Sequence, residues 1–309
     1  MLPITKLAYP VIFIAMGVLL SACVEVKSGG DLRVTDDMGD EVRLDGKAET
    51  VITLAPSLTE MVFALDAGNR LIACDDASNY PPDGTADIER VYSYTGMNRE
   101  RIVELWPDLI LMDRTLDISG EDHSALIEVG LTVYRVYPQT FEDVTENILD
   151  IGILLGKEEE AERLAGDMRE RADAVRSSAE AIPEGERQTV LLVTFYDGTN
   201  DPWVGTDSTF TGDLISMAGG DCGVKDEGGK VVQITLETMI GIDPDIILTS
   251  QSSEWPTDSR ELILEDERLS SIEAVKNGRV YDIEGDLIDR SGPRIVDGLE
   301  TINDIIMQQ

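Results

Sequence analysis

Histidine, cysteine and positive charge are all scarce in this 309-residue sequence. His123 is the only histidine, so neither a Cys/His metal centre nor a His-based triad beyond that one residue can be assembled. The cysteines are Cys23, Cys74 and Cys222. The last two fall in opposite halves, where a bridge would lock the halves together, so free and semi-buried thiols are expected. Lys and Arg number 25 against 61 Asp and Glu, a formal net charge of −36. That argues against nucleic acid as a partner, because binding phosphates needs clustered cations. High-salt adaptation or solubility accounts for the acidic surface. A Gly-x-Ser-x-Gly elbow, a Walker loop and a dinucleotide fingerprint are all missing.

Long apolar runs are also missing. The nearest thing to one, residues 7–20, is too short to span a bilayer well and reads as the apolar region of an export signal. Lys6 precedes it, and Leu20-Ser21-Ala22-Cys23 follows as a lipobox, small residues before a cysteine that accepts diacylglycerol. Residues 1–22 are therefore expected to be a lipoprotein signal peptide and residues 23–31 a tether, flexible at Ser28-Gly29-Gly30. Cys23 would hold the exported chain to the outer face of the cytoplasmic membrane. Without residues 1–22, which contain Lys6 as their one cation, the charge becomes −37 (24 cations against 61 carboxylates).

The remaining length fits two domains. Residues 157–181 predict one long helix, with apolar Ala161, Leu164, Ala165, Met168, Ala172 and Val175 on one face. Glu158, Glu159 and Glu160 suit its first turn, Gly156 closes the preceding helix and Pro183 stops this one. Some 25 helical residues span roughly 37 Å, enough to bridge two lobes. On one side, residues 32–156 read as an alternating α/β lobe. It opens with a hairpin (32–44), then strands 51–54, 71–73, one near Val91, 109–112 and 132–136, and helices 58–65, 98–105, 121–129 and 141–155. Ser57 and Glu60 are expected to form a capping box for the first of these helices. On the other side, residues 183–309 read as a second lobe, with strands 189–196, 245–249 and 279–283. Its helices are 209–218, 236–240, 259–265 and 293–307, with Pro293 at a favoured first position. The fold class expected is α/β, two Rossmann-like lobes joined by residues 157–182.

The halves share a signature. Asn98 to Ile102 runs through Trp106-Pro107-Asp108 into Leu109-Ile110-Leu111, and Thr235 to Met239 runs through Asp243-Pro244-Asp245 into Ile246-Ile247-Leu248. In both, a glutamate (Glu100, Glu237) lies seven residues before the proline, the mark of a duplicated lobe. First-turn glutamates also simply favour a helix.

With lipobox, two lobes and one connecting helix, the chain resembles the substrate-binding proteins of ABC importers for cobalamin, haem and iron–siderophore complexes, over its whole mature length. Asn79-Tyr80-Pro81-Pro82, Tyr94-Thr95-Gly96-Met97-Asn98 and Glu100-Arg101-Ile102-Val103 are most similar to the cobalamin-binding members. Asp289-Arg290-Ser291-Gly292-Pro293-Arg294-Ile295 is similar to the wider family. The resemblance implies a class III periplasmic-binding-protein-like fold that binds and hands over a ligand without chemistry. It implies that Tyr80 and Tyr94 line the cleft, with Tyr196 and Trp203 as an aromatic wall, and that Glu100 and Glu237 meet arginines of the permease, itself paired with an ATPase. Near Asp286 this chain has Leu287 where the relatives carry an aromatic.

Residue chemistry bears on the ligand independently. Loops at the carboxyl ends of the strands, where open α/β sheets bind ligands, carry Tyr80, Tyr92, Tyr94, Tyr196, Trp203 and Trp255. Cations there are at most Arg114, Lys225, Lys230 and Arg290. Anionic siderophores need close Arg or Lys, whereas a flat ligand of low net charge needs aromatic walls and a few hydrogen bonds. The expected ligand-binding residues are Tyr80, Tyr94, Tyr196, Trp203, Trp255, Asp286 and Arg290, and the expected ligand is a corrinoid. An iron–siderophore complex or haem is the alternative ligand, and an exported hydrolase using Ser57 the remote alternative function. A monomer with no cofactor and no metal is expected.

Overall fold

The computed structural model describes residues 31–93, 96–117, 119–225, 231–251 and 257–308. The expected signal, Cys23 and nearly all of the tether lie outside them. Strands β1 (Asp31–Thr35) and β2 (Glu41–Asp45) form the expected antiparallel hairpin, with Val34 opposite Val42. The Asp36 carboxylate accepts the Met38 and Asp40 amides across its turn, and Gly39 supplies the positive φ there.

The first lobe is built on β3 (Val51–Thr53), β4 (Leu71–Asp75), β5 (Glu89–Ser93), β6 (Gly96–Met97), β7 (Leu109–Asp113) and β8 (Val133–Val136). Their order is β6-β5-β4-β3-β7-β8, parallel except for the short β5–β6 pair. The second lobe uses β9 (Thr189–Phe195), β10 (Trp203–Val204), β11 (Asp221–Cys222), β12 (Val232–Gln233), β13 (Ile246–Gln251) and β14 (Val280–Glu284). Here the order is β12-β10-β9-β13-β14, and β11 pairs with the start of β9. The central strands are buried on both faces, Leu109 to Met112 in one lobe and Ile246 to Ser250 in the other, as parallel strands covered by helices must be.

The long helix, Glu158–Ala179, buries Ala161, Ala165, Met168, Ala172 and Val175 of the predicted stripe and Ala179 beyond it, while Leu164 is half-buried against the core. At 22 residues it runs about 33 Å. It packs on Phe141–Leu155 from the first half and on Phe210–Met217 and Ile295–Met307 from the second. Gly152 and Ala161 bring the first pair so close that a Cβ on Gly152 would sit 2.4 Å from that of Ala161. Ion pairs from Arg169 to Glu142 and from Arg171 to Asp297 and Glu300 tie this helix to both sides. One continuous apolar core therefore runs through the base of both lobes, and each lobe adds a smaller cluster of its own.

The duplicated signature is repeated in atomic detail. Helices Arg99–Leu105 and Leu236–Ile242 are each capped by a side chain, Asn98 accepting from the Arg101 amide and Thr235 from that of Thr238. Both end on a left-handed residue that is not glycine, Trp106 (φ 46°) and Asp243 (φ 48°). In both, the aspartate after the proline accepts amides at the head of the neighbouring strand. Asp108 takes Glu49 and Thr50, and Asp245 takes Thr189, all at 2.8–2.9 Å.

Two expectations about caps are corrected. The first-lobe helix begins at Pro56, with Ala55 before it and no side-chain cap, so Ser57 and Glu60 form no capping box. Pro56 fits the first helical position because its fixed φ and missing N–H cost nothing there. This draws Ser57 and Glu60 inside the helix, where both are buried. Conversely, Pro293 lies in a turn ahead of the last helix, which starts at Ile295.

Candidate functional site

A cavity of about 750 Å³ lies between the lobes. The first lobe contributes Asp113, Arg114 and Thr115, where β7 ends, and Tyr137, Pro138 and Gln139, directly after β8. The second contributes Thr209, Phe210, Thr211, Val231, Ile288, Asp289 and Ser291. This is the carboxyl-end position at which open α/β sheets bind ligands. Tyr137 is fixed from below: its amide donates to Asp37 in the hairpin turn, 2.5 Å away. The Arg114 guanidinium lies over its ring, 5.9 Å from the centroid. Phe210 starts a helix whose Asp213 carboxylate accepts the Phe141 amide at 2.9 Å, which pins the cavity floor across the lobe boundary. The lining holds two carboxyl groups, Asp113 and Asp289. Burial pushes the Asp113 carboxyl above its ordinary range, against the bonds it receives from the Thr115 amide and hydroxyl. Burial does the same to Asp289, which accepts the Ser250 hydroxyl.

Beside the cavity the lobes are joined by buried charge. Glu60 is 4% exposed and accepts two bonds from Arg294 (2.8 and 2.9 Å) and one from Arg290 (3.2 Å), residues more than 200 positions away in the other lobe. Arg290, 9% exposed, also donates to Asn79 (2.7 Å) and the Ala77 carbonyl (3.3 Å), and pairs with Asp286 at 3.0 Å. Arg294 covers the Tyr80 ring at 4.1 Å. Glu60 lies between two guanidinium groups, the arrangement that makes a buried charge tolerable. Gly292 lets the chain press against Ser57, whose backbone would lie 3.4 Å from an added Cβ.

The model of a family described as periplasmic binding protein matches residues 51–287. The chain belongs to that family. A Bacillus subtilis protein, the uncharacterized ABC transporter substrate-binding lipoprotein YvrC, is 28% identical over 277 residues, covering 88% of this chain and 84% of its own. A vitamin B12-binding protein of Vibrio cholerae is 26% identical, covering 82% and 88%. The crystal structure of a possible iron-binding (periplasmic solute-binding) protein from Staphylococcus epidermidis superposes with a TM-score of 0.70 at 25% identity, covering 85% of this chain and all of that one. The fold is accordingly that of a two-lobed periplasmic binding protein, whose task is solute capture outside the cytoplasm.

Within this binding protein the expected site residues scatter. Tyr80 and Trp203 are both 43% exposed, Tyr80 beneath Arg294 and Trp203 on β10 opposite Phe195, and neither lines the cavity. Tyr94 and Trp255 lie outside the described residues. Tyr196 is corrected: it is 1% exposed, packed in the second lobe's own core, and cannot be a cleft wall. Its hydroxyl donates to Asp266 and receives Arg268, and burial pushes its pKa up to about 12. Asp286 and Arg290 belong to the charge bridge between the lobes, with Arg290 buried there. Glu100 and Glu237 are exposed in the first turns of the two equivalent helices. The expected thiols Cys74 and Cys222 are free and buried. Among the described residues no cluster of three or more His, Cys, Asp or Glu is placed to hold a metal, and no helix is long and apolar enough to cross a membrane.

Reading by residue missed Tyr137 and Phe210. The signal was present: Val136-Tyr137-Pro138 puts an aromatic at the mouth of a parallel strand, and Thr209-Phe210 puts one at a helix start after a turn.

Proposed function

We propose that this periplasmic binding protein captures a cobalamin-like corrinoid between its lobes and delivers it to the permease of an ABC importer. The carrying observation is the cavity of about 750 Å³ walled by Tyr137, Pro138, Phe210, Val231 and Ile288 from both lobes, with Arg114 as its one cation among the described residues. Aromatic and aliphatic walls with few polar groups suit a large, flat ligand of low charge. The similarity to the vitamin B12-binding protein of Vibrio cholerae supports the same reading. An iron complex or haem is the second reading, favoured by the likeness to the Staphylococcus epidermidis structure. Many-charged ferric siderophores fit the acidic lining less well.

In this account Cys23 carries the lipid that keeps the protein on the outer face of the cytoplasmic membrane. Glu100 and Glu237, one on each lobe, dock to arginines of the permease, and its ATPase drives release. No catalytic step is assigned. Absorbance spectra of protein repurified after mixing with cobalamin, cobinamide, haem and a ferric siderophore test the ligand. Retention of a corrinoid at one per chain is expected, and retention of the siderophore alone overturns the assignment.

A further inference from the structure

In a chain with 61 carboxylates for 25 cations, Arg114 is the one cation in the described cavity lining, and among the described residues it forms no ion pair. Arg99 pairs with Asp122, Arg135 with Asp36 and Asp40, and Arg290 and Arg294, beside the cavity, with Glu60. The carboxylate of Arg114's neighbour in sequence, Asp113, is turned to other donors, taking the Thr115 amide at 2.7 Å and its hydroxyl at 2.6 Å. The Arg114 guanidinium instead lies over Tyr137, 5.9 Å from the ring centroid. A guanidinium held over a ring by its charge still has its planar N–H donors to grip an oxyanion in fork geometry. Arg114 does so in the cavity lining.

We infer that Arg114 receives a single anionic group on the ligand, so that the cleft prefers a flat complex with one phosphate-type arm over the same complex without it. One group is the limit. The lining holds Asp113 and Asp289 with Arg114, a formal charge of −1, and a second anionic group would meet carboxylates. The choice of probe rests on the corrinoid reading: cobalamin carries a phosphodiester in its nucleotide arm, and cobinamide, with the same ring, lacks it.

The test is calorimetric titration of both corrinoids into the wild-type chain, Arg114→Gln and Arg114→Lys. Losing a charged hydrogen bond should weaken cobalamin about 10–100-fold in Arg114→Gln. Cobinamide should change by no more than about twofold, and Arg114→Lys should restore part of the cobalamin affinity, as a merely structural residue would not. Equal weakening of the two corrinoids, or of neither, overturns the inference while leaving corrinoid capture in place. If neither corrinoid binds the wild-type chain, the corrinoid reading fails by itself. The same variants titrated with haem, whose propionates are its anionic groups, then decide for Arg114 by whether affinity falls about tenfold or stays.

Discussion

Glu60→Ala is the perturbation with the largest calculable effect. The side chain accepts three bonds from Arg290 and Arg294, all within 3.2 Å, and is 4% exposed. Removing it leaves two guanidinium groups at a buried site that keep only Asp286 and the more exposed Glu284 as ion-pair partners among the described residues. Breaking a buried pair from one side costs roughly 3–5 kcal/mol, mostly the uncompensated charge. For a chain of this size each kcal/mol moves the melting midpoint by about 2–4 °C, so a fall of about 10 °C is expected by thermal denaturation. Glu100→Ala, at an exposed first-turn position, is the matched control and should stay within about 0.5 kcal/mol. Because Glu60 joins the lobes, Glu60→Ala should also widen the protein in solution scattering. A loss below about 1 kcal/mol with unchanged scattering would refute the reasoning, since a buried bridge cannot be silent.

Tyr137→Ala and Phe210→Ala should each weaken ligand binding by about 1–3 kcal/mol in titration calorimetry, and unchanged affinity in both would mean the cavity is not the site. The double change Glu100→Ala with Glu237→Ala should preserve melting and ligand affinity but impair ligand-stimulated ATPase in reconstituted vesicles; normal transport would remove the docking role. Asp245→Ala should lose about 1–3 kcal/mol by freeing the Thr189 amide, with Asp108→Ala behaving alike and the two adding, measured by urea unfolding. Arg268, then Tyr196, holds the Asp266 carboxyl down to about 2. A lowered carboxyl stabilises the fold above its ordinary range, and that contribution is lost as pH falls from near 4 through 2. Between pH 5 and pH 2 the wild-type chain should therefore lose more urea stability than Asp266→Asn, and parallel loss would contradict the assignment.

The regular parts of the fold were legible because they obey local periodicity. The stripe from Ala161 to Val175, the apolar strands at Leu109 and Ile246 and the Pro-Asp signature each announce an element from short-range sequence. What was illegible depends on residues far apart in the chain. Ser57 and Glu60 have the spacing of a capping box, yet Pro56 moves the helix start and two arginines more than 200 residues away take the carboxylate. Tyr196 follows a strand as a wall residue should, but its loop folds inward and its hydroxyl finds Asp266 and Arg268. Tyr137 follows a strand in the same way and lines the cavity. Position at a strand end thus nominates cleft residues, and long-range pairing decides among them.

The cleft between the lobes is proposed to hold a corrinoid. Equilibrium titration of the mature chain with cobalamin, followed by the corrin absorbance of the protein-bound fraction, tests it most directly. Saturation at one corrinoid per chain is expected, with affinity lowered by Tyr137→Ala. No uptake of any corrinoid, together with saturation by a ferric siderophore, would contradict it.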